Sequence, residues 1–198
     1  DMALSGMYAY KLSDRWAGGA TGKFIYSRYA DYTSIALAVD LGLNYYNGDN
    51  DFSFSIVAKN MGGQVKAFGD HHEKLPFSLQ AGFTKRLAHA PFQLSVTAID
   101  LTRWDKKDYY VSGEEISTGQ LLMNHLAIGV DFLPTDYLYF SLGYNFRKAN
   151  EMKAAGSSHA AGLCAGGGLS LRRFSFGLAY AQYHLSAPSL VFNAAYRM

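Results

Sequence analysis

The chain has 198 residues, of which 49% are hydrophobic, 15% are aromatic and 17% are charged, and its net charge is +2. Because disordered chains combine high charge with few aromatic residues, this composition excludes a disordered tail, and the small net charge argues against nucleic-acid binding. The single cysteine, Cys164, excludes a disulfide framework and a cysteine-based zinc site. The chain is apolar, yet no stretch approaches the roughly 18 uninterrupted apolar residues of a membrane-spanning helix.

A period of two residues runs along the chain from its first residues. In the segment 137–147, for example, large apolar residues alternate with small or polar ones, which places the two kinds on opposite faces of a strand. Since no window shows the three- and four-residue spacing of a helix, the sequence predicts an all-β protein without helices. The alternating runs predict about eleven strands, near residues 2–12, 16–28, 33–46, 52–60, 75–86, 92–102, 120–133, 137–147, 158–171, 174–185 and 190–198.

The predicted strands are long, and their connections alternate in length. Globular strands average about 5 to 6 residues and membrane-spanning strands need about 9 to 11, and most of these runs reach or exceed the second length. Outer-membrane barrels place short turns on the periplasmic side and longer loops outside. The sequence therefore predicts an antiparallel transmembrane β-barrel of the outer membrane. Its tight turns lie near residues 13–15, 47–51, 88–91, 134–136 and 172–173, with mostly longer connections between them.

Aromatic residues mark the strand ends next to the tight turns. Each lies on the apolar face of its strand, where a ring would sit at the headgroup level of a membrane. Core aromatics of a soluble sandwich are the alternative, but that architecture does not explain their position at one end of the strands. The predicted aromatic girdle consists of Trp16, Tyr45, Phe52, Phe92, Phe132, Phe174 and Tyr196.

Charged residues lie on the opposite, polar faces of the strands. Facing lipid would cost a basic side chain roughly 2–4 kcal/mol at mid-depth, so these faces must point into a lumen. Both signs are present, which leaves two alternatives: a salt-bridge network across the lumen, or a solvated polar interior without ion specificity. The predicted lumen charges are Lys23, Asp40, Lys59, Arg86, Asp100, Asp131 and Arg147.

An odd number of strands would leave the two chain ends on opposite sides of a membrane. Bacterial single-chain barrels have an even number of strands and periplasmic ends. We therefore expect the natural protein to continue upstream of Asp1 with one or three further strands and a signal peptide. On this expectation, residues 1–198 are the C-terminal portion of a single barrel domain.

Motifs for catalysis or cofactor binding are weak. His71, His72 and Glu73 lie in a predicted loop without a third ligand at suitable spacing. The glycines at 162 and 166–168 lie in a predicted strand, whereas a dinucleotide-binding motif opens a helix. The sequence therefore predicts no enzyme and no catalytic, cofactor-binding or metal-binding residue. Three other histidines are isolated in the sequence: His125, His159 and His184.

The long connection at residues 103–115 combines Trp, Tyr and Arg with charges of both signs. These aromatic and Arg residues dominate the energetics of protein–protein interfaces. The alternation of loop lengths places this loop on the extracellular side, so it predicts a docking surface for a protein. The alternative is a loop at headgroup level with its rings in the interface. The predicted partner-binding residues are Arg103, Trp104, Tyr109 and Tyr110.

Four segments carry a resemblance to a known family. AKNMGGQ at 58–64 and LPFSLQAGFTKRL at 75–87 resemble the repeated pattern of the FadL-like barrels of Bacteroidetes. SVTAIDLTRWD at 95–105 and GLAYAQYH at 177–184 narrow the resemblance to the PorQ-type, or the related PorV-type, outer-membrane components of the type IX secretion system. The resemblance covers most of the chain.

This resemblance implies a fourteen-stranded barrel, and hence three further strands. It also implies a non-enzymatic anchor and scaffold of a cell-surface attachment complex, without a cofactor. The implied partners are a PorZ-like surface protein, the sortase-like PorU and PorV, together with outer-membrane lipid and lipopolysaccharide. The alternative from another functional class is a FadL-like channel for hydrophobic small molecules.

Overall fold

The computed structural model describes residues 2–29, 32–67, 74–109, 116–154, 161–182 and 188–196. Within these ranges, the strands lie in segments where apolar and polar residues alternate, because each strand then has one apolar face. The eleven strands are β1 (Met2–Lys11), β2 (Trp16–Tyr29), β3 (Tyr32–Asn47), β4 (Phe52–Lys66), β5 (Ser78–Arg86), β6 (Phe92–Ala98), β7 (Leu126–Phe132), β8 (Leu138–Asn145), β9 (Leu163–Ser170), β10 (Phe174–Ala181) and β11 (Ser189–Tyr196).

Each strand pairs with its neighbours in sequence. The sheet runs from β1 to β11 without a crossover, as an antiparallel meander. Between β1 and β2, for example, the register runs from Met2 opposite Tyr26 to Lys11 opposite Ala17. The strand order ends at β11 and does not return to β1, so the sheet is not closed. The prediction of an antiparallel β-sheet built from about eleven strands is confirmed.

The prediction that the chain has no helix is wrong. The helix α1 (Thr118–Asn124) occupies part of the segment predicted as strand 120–133, and α2 (Phe146–Ala154) directly follows β8. A 3-10 turn (Lys106–Tyr109) lies in the long connection before α1. With seven and nine residues, the two α-helices are too short for a helical period to stand out in the sequence. Among the described residues, no helix has the length and apolar character needed to cross a membrane.

The chain forms two compact units, the first of which comprises Asp1–Asn47, Ser53–Gly82 and Asp100–Thr102. Its strand β3 shows the alternation most clearly. Leu37 and Leu41 are each 49% exposed, whereas Ala36 and Ala38 are buried. One face of this strand is therefore a surface of large apolar side chains, and the other carries small residues that allow close packing.

The second unit comprises Gly48–Phe52, Phe83–Ile99 and Arg103–Met198. Its strands also expose large apolar residues at alternate positions, which are Ile128 and Val130 on β7 and Phe140 and Leu142 on β8. Its buried apolar cluster, formed by Tyr109, Ile116 and Leu121, lies in the long connection and α1. The interior of this unit is thus found around the helical segments, while its strands keep their apolar faces exposed.

Candidate functional site

The structure gathers three of the four predicted partner-binding residues around one buried histidine. Arg103, Trp104 and Tyr109 all contact His125, which directly follows α1. The 3-10 turn brings Tyr109 back towards Arg103, and the Asp105 carboxylate stabilises this turn by accepting a hydrogen bond from the backbone N–H of Lys107. The fourth predicted residue, Tyr110, lies outside the described residues.

His125 is the most buried of these side chains, with 2% of its surface exposed. Its Nδ1 lies 2.8 Å from the carbonyl oxygen of Leu121, and its Nε2 lies 2.7 Å from the carbonyl oxygen of Arg103. The Trp104 ring stacks on the imidazole at 4.1 Å with an interplanar angle of 8°. The imidazole therefore connects the end of α1 to the start of the long connection.

Tyr109 packs against the same imidazole and contacts Arg103. The side chain is 6% exposed, and its hydroxyl donates a 3.0 Å hydrogen bond to the carbonyl oxygen of Arg103 while lying 3.2 Å from His125 Nε2. The guanidinium of Arg147, from α2, lies 5.0 Å from the centre of the Tyr109 ring, within the range of a cation–π contact. We refer to Arg103, Trp104, Tyr109, His125 and Arg147 as the His125 cluster.

A second layer of polar contacts holds α2 against the His125 cluster. Arg147 Nε donates to Glu151 at 2.7 Å, Lys148 Nζ donates to the same carboxylate at 3.0 Å, and Asn150 donates to Asn124 of α1. Burial raises the pKa of Glu151, but the hydrogen bonds and positive charges of Arg147 and Lys148 outweigh it. The pKa of Glu151 therefore lies below its usual value, and the carboxylate is charged at neutral pH.

The arrangement is suited to recognition of a partner. The Trp104 side chain is 48% exposed. One face of its indole ring stacks on His125, which fixes the orientation of the ring. Trp, Tyr and Arg are the residue types that dominate protein–protein interfaces, and the His125 cluster contains all three. In the part of the chain that the structure describes, no group of three His, Cys, Asp or Glu side chains could hold a metal ion. The predicted loop pair His71 and His72 lies outside the described residues.

The predicted lumen charges Lys23 and Asp40 form an ion pair in the first unit. Lys23 Nζ lies 2.6 Å from the Asp40 carboxylate, and these side chains are 22% and 16% exposed. Asn60 joins both, since its backbone N–H donates to Asp40 at 2.8 Å and its side-chain oxygen accepts from Lys23 at 3.1 Å. Asn60 has a φ of 58°, a left-handed conformation that asparagine adopts more readily than most residues. We call these three residues the Lys23–Asp40 network; the nearby charge of Lys59 also acts on Asp40.

The remaining predicted lumen charges have separate surroundings. The Asp131 carboxylate accepts hydrogen bonds from Gln93 at 3.0 Å and from Ser141 at 2.5 Å, both on strands next to β7. The backbone N–H of Arg86 donates to the carbonyl oxygen of Asp51 in the neighbouring turn, and Asp100 has a φ of 52° just after β6. These contacts leave the choice between a lumen network and a solvated interior open.

The prediction that Arg147 lies on the polar face of a strand is wrong. β8 ends at Asn145, whose side-chain oxygen accepts a hydrogen bond from the backbone N–H of Lys148 and so caps the start of α2. Arg147 therefore lies in the first turn of a helix, where its side chain reaches Tyr109 and Glu151.

The predicted girdle residues lie at strand ends, and most of them pair across neighbouring strands. All but Tyr45 are the first or last residue of their strand. Cross-strand aromatic pairs of this kind stabilise a sheet by their mutual packing. Their location at a membrane interface stays a prediction. The ring centres are separated by 5.0 Å in Trp16–Tyr45, 5.2 Å in Phe92–Phe132 and 5.1 Å in Phe174–Tyr196, and Phe52 lies 6.4 Å from Phe83.

Sequence reasoning missed His125 and Glu151 as parts of the site. A signal for their surroundings was present, because Ser117 and Gln120 have the spacing of a helix-capping box. The Ser117 hydroxyl does accept a hydrogen bond from the backbone N–H of Gln120, and this cap starts α1. Recognition of that helix would have placed His125 at its end, close to the long connection.

Comparisons with known proteins leave the family of the chain open. No protein-family model matches it, and no curated protein is significantly similar to it.

Proposed function

We propose that the chain is part of an outer-membrane β-barrel that acts as a non-enzymatic anchor and scaffold of a type IX secretion attachment complex. The observation that carries this proposal is the alternation along the strands, where large apolar side chains such as Leu37, Leu41 and Val130 are exposed at every second position. Exposed apolar surface of this extent normally marks contact with a membrane or with other proteins. Lipid is the partner that accepts a continuous apolar strand face.

The opposite strand face supports the same proposal. It carries the Lys23–Asp40 network and Asp131, whose polar groups are satisfied by side chains of neighbouring strands. In a barrel, such a face would line the interior, where charges avoid contact with lipid. Closure would require strands beyond the described sheet, in line with the fourteen strands that the family resemblance implies.

The His125 cluster is the proposed docking surface for a PorZ-like surface protein. Its exposed Trp104 is held in one orientation by the stacked His125 ring, so little side-chain freedom would be lost on binding. Lys106 and Lys107 are exposed beside it and supply positive charge at the rim. In this role the chain would hold its partner next to PorU-like and PorV-like proteins at the lipopolysaccharide surface, and would catalyse no reaction itself.

Co-purification with a defined partner tests this function. The detergent-solubilised protein is mixed with a purified PorZ-like protein, and the bound fraction is measured for the parent chain, Trp104→Ala and the control Trp16→Ala. A hot-spot residue contributes about 2 kcal/mol or more, so Trp104→Ala should weaken binding about 30-fold, whereas Trp16→Ala should bind like the parent chain. Recovery of the protein alone, or equal binding by the two variants, would contradict the proposed docking role.

A second candidate function, a channel for hydrophobic small molecules, is favoured by one observation. An open, mainly apolar groove of about 770 Å³ in the first unit is lined by residues that include Leu4, Phe24, Leu37 and Val39. Its floor includes Gly6 and Gly22, which face each other in the β1–β2 register and leave open space above them. If the purified protein carries a bound lipid and no surface protein, this function replaces the scaffold.

A further inference from the structure

The imidazole of His125 lies between two backbone carbonyl oxygens. Nδ1 is 2.8 Å from the oxygen of Leu121, and Nε2 is 2.7 Å from the oxygen of Arg103. A carbonyl oxygen can only accept a hydrogen bond, whereas a neutral imidazole has one N–H donor and one nitrogen that only accepts. In each neutral tautomer, the nitrogen without a hydrogen would therefore face a carbonyl oxygen at hydrogen-bond distance, which is a repulsive contact between two acceptors.

The Tyr109 hydroxyl does not remove this conflict. Its hydrogen is donated to the carbonyl oxygen of Arg103 at 3.0 Å, so its oxygen is available to accept from His125 Nε2 at 3.2 Å. If the hydroxyl instead donated to Nε2, Nε2 would still face the Arg103 oxygen at 2.7 Å without a hydrogen between them. All three contacts are satisfied together only when both ring nitrogens carry a hydrogen.

We propose that His125 is held as a doubly protonated imidazolium, which acts as a proton-controlled latch joining the Arg103–Tyr109 segment to the end of α1. One N–H holds the Leu121 carbonyl of α1, and the other holds the Arg103 carbonyl of the long connection. Loss of either proton breaks one of these two hydrogen bonds. The latch then opens, and Trp104 loses its fixed position on the imidazole ring.

The surroundings of the ring are compatible with a buried positive charge. Such a charge is costly unless it is hydrogen-bonded, and here both N–H groups have acceptors and the Trp104 ring covers one face in a cation–π stack. The sequence of α1 carries no charged side chain. In the long connection, Asp105, Lys106 and Lys107 are exposed to solvent.

The third element packed near the ring, α2, brings two basic side chains and one carboxylate, so it offers no net negative charge to the ring. Arg147 lies against the Tyr109 ring and pairs with Glu151, and Lys148 pairs with the same carboxylate. The charge on His125 is thus held mainly by carbonyl dipoles and by the indole face. This makes the latch sensitive to proton loss, because the two N–H donors themselves join the segments.

The effect of the latch on partner binding rests on the proposed function. An open latch would free Trp104 to sample many orientations, and binding would then have to restore a single one. Partner affinity is therefore expected to fall as the pH rises through the deprotonation of His125. The latch itself is a property of this chain alone and can be tested without a partner.

The test follows the protonation of His125 and the environment of Trp104 in the same full-length sample. The protein is labelled with ¹⁵N-histidine in detergent micelles, and imidazole nitrogen shifts are recorded from about pH 5 to about pH 9, the range in which histidine titrates. Trp104 emission is recorded over the same range in a Trp16→Phe background. His125→Gln removes the ionisable ring, and His89→Gln, at an exposed turn position, is the matched control.

The expected result is that both His125 nitrogens carry a hydrogen at the acidic end and that one proton is lost at the same pH at which Trp104 emission changes. His89→Gln should keep this emission change, and His125→Gln should lose it. A singly protonated His125 across the whole range would overturn the latch. An unchanged emission transition in His125→Gln would also overturn the latch. The nitrogen shifts are measured on the parent chain, so they test the latch even if that variant does not fold.

Binding of the purified PorZ-like protein below and above the transition separates this inference from the proposed function. If the nitrogen shifts and the emission change together but no partner binds at either pH, the latch holds and the docking role fails. If the partner binds while His125 is singly protonated throughout, the docking role holds and the latch fails.

Discussion

The Lys23–Asp40 network and the His125 cluster both satisfy polar groups by contacts within the chain, but they do so by different means. In the network, opposite charges from β2 and β3 meet at 2.6 Å, and Asn60 of β4 bonds to both. In the His125 cluster, a ring is held by two backbone carbonyls and by aromatic faces. The network depends on the sheet register, whereas the cluster depends on where two short helices begin and end. The comparison shows that the strand register positions the charged side chains, whereas the short helices position the His125 cluster.

The largest expected effect comes from Lys23→Met. This change leaves the partly exposed Asp40 carboxylate without the ammonium group that contacts it. Breaking a fully buried ion pair costs about 3–5 kcal/mol and an exposed pair contributes at most about 1 kcal/mol, so a cost of about 2–3 kcal/mol is expected here. The free energy of unfolding, measured by urea titration in detergent, should fall by this amount. The matched control is Lys11→Met, because Lys11 forms a 2.9 Å pair with Asp14 at an exposed position, and exposed pairs contribute little to stability. Equal effects of the two changes would show that the network does not stabilise the sheet.

An intermediate effect is expected for Tyr109→Phe in the His125 cluster. The variant keeps the buried ring but removes the hydroxyl that donates to Arg103 and lies against His125, which should cost about 1–2 kcal/mol. Tyr137→Phe, at an exposed position in the same unit, should leave the unfolding midpoint nearly unchanged. A midpoint for Tyr109→Phe as high as that of the control would mean that ring packing alone holds the cluster.

The smallest expected effect concerns the acid dependence of stability at Glu151. Since the pKa of this carboxyl is lowered from its usual value of 4.5 in the folded chain, its contribution is fully present above that value and is lost as the pH falls through the folded pKa. Glu151→Gln should therefore be less stable than the parent chain at neutral pH, and the difference should shrink below about pH 4.5. A difference that stays constant from neutral to acid pH would exclude the ion pairs with Arg147 and Lys148 as its source. Urea titrations at several pH values provide this measurement.

The sheet could be predicted because its information is local. The alternation that places Trp16 at the start of β2 and Tyr45 near the end of β3 is visible in each segment alone, and the short connection from Tyr29 to Tyr32 fixes the register that brings the two rings together. The network partners Lys23 and Asp40 were identified separately as polar-face residues, although the sequence did not show that they pair.

The His125 cluster could be predicted only in part. The aromatic residues of the long connection predict Trp104 and Tyr109 as part of a site, because Trp and Tyr are enriched at protein interfaces whatever secondary structure carries them. His125 is 22 residues from Arg103, and only the cap of α1 and the return of the 3-10 turn bring them into contact. The alternation continues past Asn145 and predicts a strand that includes Arg147, but the side chain of Asn145 caps the start of a helix there.

The meander order of the sheet also bears on how the chain folds. Each strand lies next to the strand before it in sequence, so pairing requires the closure of one connection at a time, of which the connection from Ala98 to Leu126 is the longest. β10 and β11, for example, are joined from Ala181 to Ser189, and a connection of this length closes far faster than a sheet rearranges. Pairing between neighbouring strands favours stepwise growth of the sheet, with each new strand adding to an edge that is already formed.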